Sequence, residues 1–321
     1  MEKIDGISII VPVYNGEETL DECLEVISKI EIPENLKVEY IIVNDGSIDR
    51  TGNIIDSWNE KIDLRVINHE KNSGRIKTRL DGAVQAKFKT LLFIDSRVFA
   101  NSDIIVNFLN ANVSPVMGGD YDDQKYGSEV ETVFYLVRRR FYYPYYPQTK
   151  WGECLAINKT NFTRAPKGTT LLFIDRDLFI ELTPEDTSSV KSDDTALFKT
   201  LVFDKNITLY RHTGIKAKYQ HRKIDNLNSW LYNRGKLWAD YYILRRNPIS
   251  YVFFGMIFLI IVLLLTFPKT IIITLFIFFL LIVEFLKENN KDRLILYKTF
   301  PKLLLLFLSG VCSVFIRKNN K

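Results

Sequence analysis

Cysteine is scarce in this chain. Its 321 residues include three, Cys23, Cys154 and Cys312. They lie far apart and show no metal-ligand spacing, so they read as reduced thiols. No secretory leader is expected, because residues 1–6 carry charge and the next apolar run is only strand-length. The net charge of +5 comes with no nucleic-acid-binding motif, so a nucleic-acid partner is not expected. Glycine is sparse where a phosphate loop would need it. Pro12-Val13-Tyr14-Asn15-Gly16 holds a single glycine, which argues against the glycine-rich, basic loop of a nucleotidyltransferase. What the chain does have is asymmetry: an ordinary mixed composition up to about Pro248, and a strong apolar excess beyond it.

Residues 7–13 (ISIIVPV) are a continuous, β-branched apolar run, which predicts a strand buried on both faces. Asn15-Gly16 breaks it. Residues 17–30 carry Leu20, Leu24 and Ile27 at helical spacing, with Cys23 beside them. A second buried strand is predicted over 40–44 (YIIVN), ending at Asp45-Gly46-Ser47. The helix after it places Ile54, Ile55 and Trp58 on one face. A third strand follows over 64–68, then a helix over 73–86 with Ile76, Leu80, Ala83 and Val84 inward. The fourth strand, 90–94 (TLLFI), ends at Asp95.

This alternation predicts an α/β domain whose parallel sheet is covered by helices. Ligands of such sheets bind beyond the carboxyl ends of the strands, where Pro12-Val13-Tyr14, Asp45 and Asp95 all fall. Residues 96–248 are less regular. They offer a strand over 170–174, a helix opening at Ser192-Asp193-Asp194-Thr195, and a helix over 227–244. Carboxylates suit the start of the second of these, where backbone N–H groups are exposed.

The tail holds two strong apolar segments, 249–267 without any charge and 270–286 with Glu284 near its end, separated by Pro268-Lys269. A spanning helix needs roughly 20 apolar residues, so both are just long enough for a tight transmembrane hairpin. Arg245 and Arg246 before it, and Lys287, Lys291 and Arg293 after it, would keep both ends in the cytosol. Residues 294–316 are apolar but interrupted by Lys298, Pro301 and Lys302. They predict an interfacial amphipathic helix, with a third spanning helix as the alternative. The expected division is a domain over 1–240 and a membrane-anchoring region over 241–321. A buried helix pair in a soluble protein is the competing reading of the tail, disfavoured by its few polar residues.

Four blocks occur in order. They are Ile10-Val11-Pro12-Val13-Tyr14-Asn15 with Glu18, then Val43-Asn44-Asp45-Gly46-Ser47 with Asp49 and Thr51. Asn72-Ser73-Gly74 with Arg79, Gly82 and Ala83 comes third, and Phe93-Ile94-Asp95 fourth. Together they resemble the family 2 glycosyltransferases, over roughly residues 6–240. The resemblance implies the GT-A fold, a Rossmann-like α/β domain for nucleotide-diphospho-sugars. It implies donor-binding roles for Pro12, Tyr14, Glu18, Gly74 and Arg79, with Asp45 accepting a hydrogen bond from a base N–H. Asp95 would bind a divalent cation, Mg²⁺ or Mn²⁺, bridging the donor's phosphates.

The family pattern at that point is Asp-X-Asp, whereas this chain reads Asp95-Ser96-Arg97. Arg97 replaces a carboxylate and can pair with the diphosphate instead. His221 matches the family's late histidine, a metal ligand or phosphate contact, with His212 as its competitor. Asp193-Asp194 matches the family's acidic pair ahead of an apolar helix, with Asp194 as catalytic base and Asp193 as support. Asn233-Arg234-Gly235 resembles the following Arg-Gly element. The Gln-X-X-Arg-Trp motif of processive synthases is absent, so polymerisation is not expected.

The expected activity is inverting sugar transfer from a nucleoside-diphosphate sugar, UDP- ahead of GDP-, to a membrane-proximal acceptor such as a lipid-linked glycan or polyprenyl phosphate. The expected location is a membrane, multi-pass, with the catalytic domain facing the cytosol. The alternative from another class is a catalytically inactive GT-A membrane scaffold that binds nucleotide or partner proteins.

Overall fold

The structure, a computed structural model, describes residues 4–122, 128–145, 153–184, 193–220, 227–239 and 265–316, with isolated positions 255, 259 and 262. The chain forms two compact units, one of Met1–Asp123 with Tyr142–His221 and one of Gln124–Phe141 with Arg222–Lys321.

The first unit begins as the sequence predicts. β1 (Gly6–Val13), α1 (Leu20–Ser28), β2 (Lys37–Asn44), α2 (Thr51–Asn59), β3 (Leu64–Asn68), α3 (Arg75–Gln85) and β4 (Thr90–Ile94) alternate. β5 (Val98–Ala100), α4 (Ile104–Ala111) and β6 (Val116–Asp122) follow. The next helix, α5 (Glu129–Phe141), belongs to the second unit. The first unit then resumes with β7 (Cys154–Ile157), β8 (Leu171–Asp175), α6 (Arg176–Leu182) and α7 (Asp193–Lys199). A π-helical turn (Thr200–Asp204) leads to β9 (Leu209–Tyr219).

The sheet runs β3-β2-β1-β4-β8-β6-β9-β5, with β7 added on β9. Its first four strands are parallel, but β8 joins β4 antiparallel, so the sheet is mixed rather than wholly parallel. The parallel half needs crossover helices, and the sequence supplies them. Beyond β4 the connections are irregular, which lets a strand return in the opposite sense.

Side chains alternate across the sheet, because successive residues of a strand point to opposite faces. Ile7, Ile9, Val11 and Val13 enter one core with α1, α2 and α4, while Ile10, Val43 and Phe93 enter the other with α3, α6 and α7. Phe108 and Phe173 stack in the first core, ring centroids 4.0 Å apart. α3 lies so close to the sheet that a Cβ at Gly82 would strike Ile10. One expectation for α3 fails: Val84 is exposed, and Thr78, Arg79 and Gly82 take the buried positions. The buried stripe is therefore partly polar, which an apolar-periodicity rule does not see.

The second unit contains α5, α8 (Leu227–Ala239), α9 (Pro268–Leu286) and α10 (Asn290–Ile316). Val133, Leu136, Leu231, Val283, Leu286, Leu296 and Leu303 form its core. Glu129 accepts hydrogen bonds from Lys298 Nζ at 2.7 Å and Thr299 Oγ1 at 2.9 Å. Arg139 pairs with Glu288 at 2.5 Å. Most apolar side chains of α9, including Ile272, Phe276, Phe278 and Leu281, are exposed.

Asn290–Ser313 is long and apolar enough to cross a membrane, whereas the apolar stretch Ile272–Leu286 is shorter. Residues 294–316, expected to lie in an interface, thus belong to a helix with spanning length and composition. Most of 249–267, the first arm of the expected hairpin, lies outside the described residues.

α8 and α10 meet backbone to backbone. A Cβ at Gly235 would overlap the Phe307 carbonyl oxygen, and one at Gly310 would overlap that of Tyr232. Gly235→Ala or Gly310→Ala is therefore expected to lower stability by roughly 1–3 kcal/mol or more. Gly52→Ala, where an added Cβ meets nothing within 4 Å, should be neutral or gain up to about 1 kcal/mol in its helix. Thermal melts of the three variants compare the two cases. Equal midpoints would show that the glycine contact does not hold the helix pair.

Candidate active site

The carboxyl ends of β1 and β2 are stitched together by their loops. Asp45 N–H donates to the Val13 carbonyl at 2.8 Å, continuing the parallel register past the strand ends. Asn15, at φ 49°, turns the chain sharply. Its N–H donates to Ser47 Oγ at 3.0 Å, and its Oδ1 accepts from Ile48 N–H at 3.0 Å. Gly16 N–H donates to Thr51 Oγ1 at 2.8 Å, and Glu17 N–H to Asp49 Oδ2 at 3.1 Å. Burial alone would raise Asp49, but hydrogen bonds from the Thr51 hydroxyl and from backbone amides, Glu17's included, hold its carboxyl below the ordinary value. The first two sequence blocks thus fold into one rim. It leaves Pro12 half-buried, Glu18 exposed and the Tyr14 ring 43% exposed.

Asp45 is the hub behind that rim. It is 3% exposed. Its Oδ1 accepts from Ser73 N–H at 2.7 Å and its Oδ2 from Gly74 N–H at 3.1 Å. His69 Nδ1 lies 2.7 Å from Oδ1, and His69 Nε2 lies 3.0 Å from Asp81 Oδ2. The second block therefore holds the third, with Gly74 (φ 91°) at the N-terminal cap of α3. His69 is one residue that sequence reasoning missed, as are Arg75 and Thr169. His69 falls at the end of β3 between blocks, where no spacing marks it.

α3 carries two arginines inward to the next strand end. Arg79, 2% exposed, pairs through Nη2 with Asp95 Oδ1. Arg75, more exposed, approaches Asp194 Oδ2 to 4.0 Å. Asp95 N–H donates to the Thr170 carbonyl at 2.9 Å, and the neighbouring Thr169 hydroxyl donates to Asp194 Oδ1 at 2.9 Å. Residues 169 and 170 thereby bring together two carboxylates 99 positions apart (194 − 95) in the chain. Burial pushes the Asp95 carboxyl above its ordinary value. Arg79 opposes this most, Asp194 adds to it, and Arg97 and Arg75 also oppose it. Arg97 lies over the Tyr219 ring, 5.6 Å from its centroid, and its carbonyl accepts from Gln220 N–H at 2.9 Å.

Residues 8–107 match the model of the family described as Glycosyl transferase family 2. Over those residues the chain carries a family 2 glycosyl transferase domain. Poly-beta-1,6-N-acetyl-D-glucosamine synthase of Staphylococcus epidermidis is 30% identical over 102 residues, 32% of this chain and 24% of that protein. Poly(ribitol-phosphate) beta-N-acetylglucosaminyltransferase TarS of Staphylococcus aureus is 34% identical over 99 residues, 30% of this chain and 17% of that protein. The matches thus span a quarter or less of these curated relatives.

Among solved structures, the mannosyltransferase PcManGT of Pyrobaculum calidifontis, in complex with GDP-Man and Mn²⁺, superposes with a TM-score of 0.58. It is 15% identical, over 96% of this chain and 86% of that one. Residues 1–349 of S. aureus TarS with UDP-GlcNAc give a TM-score of 0.50 at 18% identity, over 73% of this chain and 65% of that one. Both likenesses concern the fold, a mixed α/β sheet of the GT-A type.

The other expected residues lie beyond the matched segment and fall as follows. Asp193 opens α7 beside Asp194, and only its backbone is described. His221 lies outside the described residues. Its competitor His212 is buried in β9, where Nδ1 accepts from Gly214 N–H at 3.1 Å.

An Mg²⁺ or Mn²⁺ ion demands several hard oxygen ligands. Among the described residues no group of three His, Cys, Asp or Glu side chains could hold one. Asp95 is already paired with Arg79, and a cation, Arg97, stands two residues on. Among the described side chains a divalent ion would thus meet no cluster of protein ligands, and its one expected ligand there, Asp95, is already neutralised by Arg79.

Proposed function

We propose that this chain transfers a sugar from a nucleoside-diphosphate donor, a UDP-sugar ahead of a GDP-sugar, to an acceptor hydroxyl with inversion. The observation that carries this reading is the meeting of Asp194 with Asp95 and the α3 arginines at the carboxyl end of β4. The acceptor oxygen attacks the anomeric carbon, and Asp194 takes the hydroxyl proton. The bond from that carbon to the β-phosphate oxygen breaks, and its electron pair leaves with the nucleoside diphosphate. Thr169 fixes Asp194 through Oδ1, and Asp193 supports it.

A carboxylate has about four acceptor positions. Asp45 engages three of them internally if His69 Nδ1 carries its proton, which leaves room for a base N–H of the donor. Pro12, Tyr14 and Glu18 line the same rim, and Gly74 and Arg79 bring α3 to the diphosphate.

The acceptor in this proposal is membrane-proximal, a lipid-linked glycan or polyprenyl phosphate, and the catalytic domain faces the cytosol. The exposed apolar side chains of α9 and the length of Asn290–Ser313 support a membrane location. The test is transfer by the detergent-purified chain over a panel of UDP- and GDP-sugars, with membrane lipid extract as acceptor. Sugar appearing in the lipid fraction supports the reading. Nucleotide binding without turnover on any donor would instead mark an inactive GT-A scaffold.

A further inference from the structure

The charge around Asp95 has the wrong sign for a divalent ion. Among the described residues Arg75, Arg79 and Arg97 act on that carboxylate together with Asp194, so three positive charges face two negative ones. The local balance is 3 − 2 = +1. A carboxylate at position 97 would make it 2 − 3 = −1, which attracts a cation. With Arg97 in place, a dication would have to enter beside three guanidiniums. A diphosphate meets the opposite situation.

The arginines also divide by position. Arg79 is buried, and it is fixed by Asp95 and by its own Nη1 donating to the Arg75 carbonyl at 3.1 Å. The Arg75 side chain is 56% exposed. Arg97 is half-buried and supported by the Tyr219 ring. A guanidinium can meet phosphate oxygens with two parallel N–H bonds, and these two flank Asp95, Arg75 from the Asp194 side and Arg97 from the Tyr219 side.

We infer that this site binds the donor's diphosphate without a divalent ion, Arg75 and Arg97 supplying the positive charge and Asp95 holding Arg79. The inference rests on the proposed nucleoside-diphosphate donor. The step itself is unchanged: the leaving diphosphate departs onto guanidinium N–H groups.

The experiment is calorimetric titration of UDP and GDP into the detergent-purified full chain, in EDTA and in Mn²⁺, for wild type, Arg75→Gln, Arg97→Gln and Arg97→Asp. Melting curves confirm that each variant folds. Wild-type affinity should be the same in both buffers. Each glutamine variant should bind about tenfold or more weakly in EDTA. Arg97→Asp should bind weakly in EDTA and recover about tenfold or more in Mn²⁺. Wild-type affinity that rises tenfold or more with Mn²⁺ overturns the inference and leaves the donor reading standing. No binding of either nucleotide in either buffer overturns both.

Discussion

Asp194→Asn is expected to lower kcat by about 10²–10⁴-fold while UDP affinity stays close to wild type. Asparagine keeps the shape of the side chain and still accepts the Thr169 hydroxyl through Oδ1. What it loses is the ability to take a proton. Its amide would stand where Oδ2 lies 4.0 Å from Arg75, a distance at which little binding energy is at stake. Single-turnover rates and UDP titration separate the two quantities. A variant retaining more than a tenth of the wild-type rate would remove Asp194 from the role of base. A variant that binds UDP tenfold more weakly would move it from proton transfer to donor binding.

The second large effect is expected at Asp45. Asp45→Ala strips the acceptor from the Ser73 and Gly74 amides and from His69. These donors are only partly buried, so water can replace part of what is lost, and the variant should lose roughly 1–3 kcal/mol of stability. The loop of residues 72–74 should loosen with it, because Asp45 fixes two of its amides. Hydrogen exchange at Ser73 and Gly74 reads this directly, and the unfolding midpoint reads the total. Unchanged protection at those two amides would show that Asp45 serves the ligand and not the loop.

The first four strands were readable because each is a short apolar run beside an amphipathic helix. The expected strands over 64–68 and 90–94 coincide with β3 and β4. β6, β7 and β9 escaped for physical reasons. β6 (VMGGDYD) contains paired glycines and no alternation, and β7 is only four residues long. β9 (LYRHTGIKAKY) is eleven residues studded with charge. Such strands are held by neighbours in the sheet, not by their own propensity. The burial of Arg79 escaped too, although its place in the third block marked it for donor binding. A charged helical residue reads as solvent-facing until the partner that neutralises it is known.

The sequence by itself determined the family blocks, the α/β order of the first hundred residues and the replacement of a carboxylate by Arg97. These are local properties, carried by residue type and spacing. Only the tertiary structure decided that Asp45 anchors the Ser73-Gly74 turn through two amides, that His69 lies between Asp45 and Asp81, and that Asp194 meets Asp95 through Thr169 and Thr170. Those contacts join groups separated in the chain: the Asp45 and His69 contacts follow from the pairing of β2 with β3 and the packing of α3, and the Asp194 contact from the pairing of β4 with β8, which no local pattern encodes.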